Sequence, residues 1–187
     1  MPESPLSPAR GTLYHTAVTD PRGEELLPLA DLRDRHPDLY TRHLAKYRGR
    51  EHRLHEQVLP LNCSWTEVVF LSPVDPAVLF AAMRAAGRPV PDIPVWTLDA
   101  ARLDPARCCI RLMRMTRGAL SADPGGPEDH LPLTTATLRA VSEVTDRALA
   151  RLRTLAPDEP ARPWGDVPHV LHRGPIPLQL FGHAGAR

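Results

Sequence analysis

Prolines limit how this sequence can fold more than any other residue type. The chain contains 22 prolines among 187 residues. A proline inside a helix removes one backbone hydrogen bond and clashes with the preceding turn, so helices between prolines stay short. The pattern therefore predicts short helices joined by many short loops. The length, with a hydrophobic content of 42%, is enough for one domain with a substantial core.

The charge balance gives little indication of a binding partner. Twenty-three basic and 22 acidic residues leave a net charge of +1, so nucleic acid is a possible partner that the charge does not favour. No apolar run approaches the roughly 20 residues of a membrane helix. The first ten residues lack the apolar segment of a signal peptide. We therefore expect a cytoplasmic protein without a membrane association.

The three cysteines do not form a recognisable framework. Cys63, Cys108 and Cys109 are odd in number and include an adjacent pair, which suits neither disulfides nor the spacing of a zinc site. We therefore predict three free thiols. Cys63 could pair with His15 or His169 as a nucleophile with its base. Nothing around Cys63 marks a nucleophile, so a small buried residue is the preferred interpretation.

Five short runs have the composition of β-strands. The run Glu67–Leu71 (EVVFL) is continuously apolar after its first residue, as in a strand that is buried on both faces. Alternation in the fourth run places Cys108, Ile110 and Leu112 on one face. The five runs are 12–18, 67–71, 93–98, 108–115 and 167–173.

Three segments have helical patterns. Residues 29–58 are highly charged with a thin apolar stripe, and a proline near their start should divide them, so we expect a surface segment that could act as a flap. Asp75 is a residue type that caps the start of a helix, Pro76 suits the first helical position, and Gly87 suits the end. These residues predict a helix from Pro76 to just before Gly87. Residues 135–155 hold apolar residues at spacings of three and four, which predicts one long amphipathic helix.

The order of these elements indicates the fold class. Strands and helices intermingle without strict strand–helix–strand alternation, and no internal repeat is present. We therefore expect a single domain of the mixed α/β (α+β) class, with a central mixed or antiparallel sheet and flanking helices. It should cover 12–181, after a disordered leader at 1–11 and before a tail at 182–187. The residues expected to be mostly buried are Val68, Phe70, Leu79, Met83, Ile110, Leu112, Val141, Val144, Ala148 and Leu152.

Two polar clusters suggest ligand binding but fit a solvated surface better. His52, His55 and Glu56 would share one helical face and could coordinate a metal. No further ligand is evident in so charged a segment, so we predict no metal site. A second cluster of arginines could bind phosphate, although solvated arginines are expected in a charge-balanced chain. These arginines are Arg102, Arg107, Arg111, Arg114 and Arg117.

Three segments contain residues that strand propensity and packing do not explain. They are Leu13–Thr16 (LYHT), Val69–Pro73 (VFLSP) and Pro168–Pro177 (PHVLHRGPIP). A histidine in the middle of an early strand is not there for β-propensity. In this order the segments resemble the ADP-ribosyltransferase-like fold, and the last resembles the late strand of its DNA-targeting (DarT-like) branch. The stretch 93–110 also looks like the strand–LDP–strand unit of that fold.

The resemblance implies a set of residues around NAD. Tyr14, His15 and Thr16 would hold a ribose of NAD, and Ser72 would lie near its nicotinamide. The late strand of the resembled family supplies a catalytic glutamate, whereas this chain has His169 there. An imidazole acts as a general base or as a hydrogen-bond donor. His169 is therefore the catalytic candidate, and the family's chemistry is either altered or absent.

The polar and aromatic loop before the central strand adds two substrate-binding candidates. Asn62 could supply a hydrogen bond, and Trp65 a stacking platform. We therefore expect a protein that binds NAD or a related nucleotide and transfers or cleaves its ribosyl part. One alternative is a small-molecule enzyme of another class that uses His15 and His169 as acid and base. The other is a non-catalytic binding module that kept the fold and lost the glutamate.

Overall fold

A computed structural model describes residues 7–90, 94–113, 115–116, 119–120, 126–156, 159 and 161–183. These residues form a mixed α+β fold with several antiparallel sheets and short helices. None of their helices is long and apolar enough to cross a membrane. Several predicted features fall outside the described residues: the leader at 1–6, the strand start at 93, Arg114, Arg117 and the tail at 184–187.

Seven described strands of at least three residues build two sheets. In chain order they are β1 (Thr12–Thr16), β2 (Val68–Leu71), β3 (Val95–Asp99), β4 (Cys108–Arg111), β5 (His130–Pro132), β6 (His169–Arg173) and β7 (Phe181–His183). A three-stranded sheet has the order β1–β3–β7, and a four-stranded sheet has the order β5–β4–β6–β2. Every pairing within them is antiparallel.

Short pairs of two-residue strands complete the described sheet structure. They are Glu25–Leu26 with Ile176–Pro177, Gln57–Val58 with Cys63–Ser64, and Met115–Thr116 with Ala119–Leu120. The two larger sheets meet at one isolated bridge, where Tyr14 and Ser72 exchange backbone hydrogen bonds of 2.8 Å in both directions. Because this contact is a single bridge and not a ladder, a cavity fits beside it.

The described residues include five α-helices, which accompany the sheets. They are α1 (Leu29–Arg35), α2 (Pro37–Leu44), α3 (Pro76–Ala85), α4 (Thr135–Ala140) and α5 (Asp146–Arg153). The prediction for α3 is confirmed. Asp75 accepts a hydrogen bond from the Ala77 N–H at 2.9 Å, and Pro76 is the first helical residue. Gly87 follows with a φ of +68°, the left-handed conformation in which helices commonly end.

The prediction of one long helix over 135–155 is wrong. The chain leaves the helical conformation at Val141 and starts again after Thr145, whose side chain accepts a hydrogen bond from the Ala148 N–H. Leu138 of α4 packs in the cluster around β1 and β4, whereas Leu152 of α5 packs against α3. The break lets the two halves pack against different clusters. The apolar spacing persists across the break, which is why the sequence predicts continuity.

The segment 29–58 is less helical and more deeply packed than expected. After α2 it continues as single turns of 3-10 helix at Ala45–Tyr47 and Glu51–His55. Arg53 and Glu56 are both only 6% exposed, which corrects the expectation of a purely solvated face. His52 and His55 are exposed and do not share a face with Glu56. Among the described residues, no three potential ligands lie close enough together to hold a metal.

The predicted core is mostly correct. Val68, Leu79, Met83, Ile110, Ala148 and Leu152 are buried. Phe70, Leu112, Val141 and Val144 are half-buried. Phe70 keeps some exposure because its ring lines a cavity. Arg111, which we expected in solvent, is only 3% exposed, because a carboxylate lies beside it.

Both ends of the described chain extend further into the fold than we expected. Ala9, within the predicted leader, is 1% exposed, and the Gly11 carbonyl accepts a hydrogen bond from the Ala100 N–H. At the other end, β7 includes Gly182 and His183, which we had placed in the tail. The sequence missed β7 because three residues are too few to show a strand pattern.

All three cysteines are free and buried, as predicted. Burial raises the pKa of Cys108 and of Cys109 to about 12 and also raises the pKa of Cys63. At mildly alkaline pH the thiolate, which is the reactive form, is then scarce. We expect the thiols of the native protein to react slowly with a thiol reagent. In the unfolded protein, three thiols per chain should react. Rapid labelling of the native protein would contradict this packing.

Candidate functional site

The bridge between the sheets opens onto a cavity of about 190 Å³. Five of the seven site residues predicted from the sequence line it: Tyr14, His15, Thr16, Ser72 and His169. The first three come from β1, Ser72 follows β2, and His169 begins β6. These strands are far apart in sequence, so their meeting depends on the sheet arrangement. Phe70, Leu71 and Trp164 complete the described lining. We refer to this cavity as the histidine compartment.

His15 presents a neutral imidazole to this compartment. Its ring stacks at 6.3 Å on Trp96, its partner across β1 and β3, and meets Phe181 edge-on at 6.4 Å. Burial lowers the pKa of His15 to about 4, and the Thr16 backbone offsets this effect only in part. Its Nδ1 is buried and makes no well-formed hydrogen bond to a described residue.

His169 is also held neutral. Its ring meets Phe70 edge-on at 6.0 Å. Burial is the largest cause that lowers the pKa of His169, and the positive charges of Arg111 and Arg53 lower it further. A neutral imidazole can accept a proton, whereas a cationic one cannot. His169 therefore suits the role of a general base.

Ser72 lines the cavity, but its hydroxyl serves the turn that follows β2. The hydroxyl donates to the Val74 carbonyl at 2.8 Å and accepts from the Val74 N–H at 3.1 Å. Its one hydrogen is therefore already used. A ligand near Ser72 would meet an oxygen that can accept one further hydrogen bond.

A second cavity of about 320 Å³ adjoins the first and shares Phe70, Trp164 and His169 with it. We call it the basic compartment, and its remaining lining residues are Lys46, Tyr47, Arg50, Arg53, Trp65, Met113, Arg162 and Gly165. Together the two compartments form one cleft whose total size suits a small molecule.

Trp65, a predicted substrate platform, lies in the basic compartment. Its ring packs at 4.6 Å against Phe70, and its Nε1 donates to the Tyr47 hydroxyl at 3.2 Å. The Cζ atoms of Arg53 and Arg111 lie 5.7 Å and 5.9 Å from the centre of the ring. These contacts fix the plane of the indole. Trp65 is only 6% exposed, so only a small part of the residue is open to a ligand.

Buried ion pairs support this platform. Glu56 Oε2 lies 2.8 Å from Arg53 Nη1, and Glu56 Oε1 lies 2.7 Å from Arg111 Nη2. The sequence gives no sign of this network, because its members come from the charged segment and from β4. It ties the segment 51–56 to the four-stranded sheet.

The chain was compared with protein-family models, with curated proteins and with solved structures. None of them matches. The likeness to ADP-ribosyltransferase-like proteins therefore stays a prediction from three short segments.

Asn62 is the predicted site residue that the structure does not bring to the cleft. It is exposed and ends the 3-10 turn Leu59–Leu61 with a φ of +46°. Asparagine tolerates this left-handed conformation better than most residues. This conformation reverses the chain before Trp65, and Asn62 is not among the described residues that line the cleft.

The lining residues that the sequence does not indicate include Lys46, Tyr47, Arg50, Arg162 and Trp164. The first three lie in a segment that looks solvated because it is so charged. The last two lie between the predicted helix over 135–155 and the predicted strand at 167–173, where the sequence shows no pattern of a helix or a strand. A tryptophan in such a stretch is the one signal that could have indicated packing, because a large indole is seldom left in solvent.

The low pKa of His15 predicts a pH effect on stability. In the unfolded chain His15 takes up a proton below about pH 6.5, whereas in the fold it does so only near pH 4. The neutral His15 therefore leaves the free energy of unfolding at its full value above pH 6.5. As the pH falls towards 4, this free energy decreases by on the order of 3 kcal/mol. The unfolding free energy of His15→Gln should fall less steeply over this range than that of the wild type. Parallel curves in urea titrations would contradict the assignment.

Proposed function

We propose that this chain binds NAD or a related nucleotide in the cleft and acts at the bond between ribose and nicotinamide. The observation that supports this most is that His15 and His169 line one cavity. The resemblance requires these two residues to meet, and packing alone gives no reason for it. The neutral state of both rings and the aromatic walls suit an uncharged ribosyl group and a planar ring.

His169 fits a hydrolytic version of this reaction. Its unprotonated nitrogen would accept a proton from water while the water oxygen forms a bond to the ribose C1′. The bond from C1′ to the nicotinamide nitrogen breaks, and its electron pair leaves with the nicotinamide, whose ring becomes neutral. In the transferase version the hydroxyl or amine of an acceptor replaces water.

A specific observation favours a second candidate, a nucleotide-binding module without catalysis. No aspartate or glutamate is among the described residues that line either compartment. In the resembled family a carboxylate stabilises the positive charge that develops on ribose. A neutral imidazole provides less of this stabilisation, because it bears no negative charge.

Calorimetric titration with NAD, followed by chromatography of released nicotinamide, tests these candidates. Binding with nicotinamide release supports the transferase or glycohydrolase, and binding alone supports the module. Absence of binding contradicts both and favours an enzyme of another class that uses the two histidines as acid and base. His15→Ala should weaken binding by about 0.5–1.5 kcal/mol. The exposed His52→Ala serves as the matched control and should bind like the wild type.

A further inference from the structure

We infer that the basic compartment binds the phosphate group of a ligand that also carries a planar ring. The inference rests on the proposed function, because it concerns the same cleft. It deepens that function by assigning the charged part of the ligand to the basic compartment. Lys46 and Arg162 would contact the phosphate, and the ring would lie among Tyr47, Trp65 and Trp164.

The charges of the compartment are the first support. Lys46, Arg50, Arg53 and Arg162 line it, and no carboxylate is among its described lining residues. Lys46, Arg50 and Arg162 form no ion pair with a described carboxylate. A pocket that gathers cations in this way attracts anions, and its low-dielectric walls strengthen the effect.

Lys46 lies beside a group of like charge, Arg42. Its Nζ donates to His43 Nδ1 at 3.4 Å, and desolvation together with the charge of Arg42 lowers the pKa of Lys46. The positive charge of Lys46 is thus less well compensated than that of a lysine in open solvent. A bound phosphate would stabilise it.

Arg162, which lines the same compartment, is held in an uncommon backbone conformation. Arg162 has a φ of +36°, which non-glycine residues adopt rarely and which persists only when the surroundings enforce it. Arg151 of α5 enforces it: its guanidinium donates to the Ala161 and Arg162 carbonyls at 3.1 Å and 3.0 Å and pairs with Asp166. This turn carries both Arg162 and Trp164 into the cleft. Backbone strain at such a position is typical of functional sites.

The neighbouring compartment explains why the anion would lie here. Its described lining has no formal charge at neutral pH, because His15 and His169 are neutral. A ligand whose negative charge lies at one end only would therefore have a preferred direction in the cleft. The same chemistry also fits a separate phosphorylated molecule that enters the basic compartment alone.

Titrations with inorganic pyrophosphate, AMP and adenosine test the inference. AMP and adenosine differ only in the phosphate, so wild-type protein should bind AMP at least about tenfold more tightly, with an affinity that falls as salt rises. The double variant Lys46→Ala/Arg162→Ala should lose about tenfold or more for AMP and pyrophosphate, and little for adenosine. The double variant Arg33→Ala/Arg139→Ala removes two exposed charges outside the cleft and should bind like the wild type.

Equal affinities for AMP and adenosine would overturn the inference. So would a wild type that does not bind pyrophosphate, or an unchanged pyrophosphate affinity in Lys46→Ala/Arg162→Ala. The proposed function fails separately: pyrophosphate binding that depends on these cations, without any NAD binding, leaves the phosphate site standing alone. If AMP displaces NAD one for one, the phosphate belongs to the nucleotide in the cleft. If both bind together, the phosphate belongs to a second molecule.

Discussion

Replacing Glu56 with glutamine should lower the free energy of unfolding by about 3–5 kcal/mol. The substitution keeps the size of the side chain but leaves Arg53 and Arg111, which are 6% and 3% exposed, without their shared carboxylate. A buried charge that loses its counter-charge keeps the full cost of its desolvation, which is why the expected effect is large. Urea unfolding of the variant and the wild type measures the difference.

An exposed pair provides the control for this prediction. Glu25 pairs with Arg35 at 3.0 Å, and their side chains are 36% and 49% exposed. Glu25→Gln should therefore cost less than about 1 kcal/mol. If Glu56→Gln cost no more than Glu25→Gln, the network would be no more stabilising than a surface contact. The triple variant Arg53→Met/Glu56→Leu/Arg111→Met should recover much of the lost stability, since it removes all three charges together.

His169→Ala should lower the rate of nicotinamide release about 10²–10⁴-fold, the usual contribution of a general acid or base. NAD affinity should change much less, because the imidazole would act mainly in the transition state. Single-turnover measurements at saturating NAD separate the two effects. His52→Ala is again the matched histidine control. A variant that retains the full rate would remove His169 from the reaction.

His169→Glu tests the geometry separately from the chemistry. It places a carboxylate at the position where the resembled family has its catalytic residue. Release of nicotinamide should appear or increase in this variant, even if the wild type only binds NAD. A folded variant that binds NAD without any release would contradict an inherited transferase geometry. Thermal unfolding of the same preparation confirms that the variant is folded.

Local signals made part of the fold predictable. Asp75, Pro76 and Gly87 each act through the backbone within a few residues, so the bounds of α3 follow from the sequence. The continuous apolar run at 67–71 correctly predicted β2. The break between α4 and α5 was not predictable in this way, because it depends on which cluster each helix packs against.

The candidate site was predictable where a short motif carried it. Tyr14, His15, Thr16, Ser72 and His169 were chosen from three segments, and the structure brings them to one cavity. The basic compartment was not predictable. Lys46 and Arg162 come from stretches that look like solvated surface, and only the Arg151 contacts turn the second stretch inwards. Asn62 was chosen for its polarity, whereas its backbone conformation explains it.

The central position of β6 has a consequence for synthesis of the chain on the ribosome. β6 pairs with β2 on one side and with β4 on the other, yet it follows both of them in the sequence. Until residues 169–173 have been made, β2 and β4 each lack their common neighbour and expose unpaired backbone groups. Such edges are prone to associate with other chains. Products truncated before His169 should therefore aggregate, whereas chains that include β6 can close the sheet.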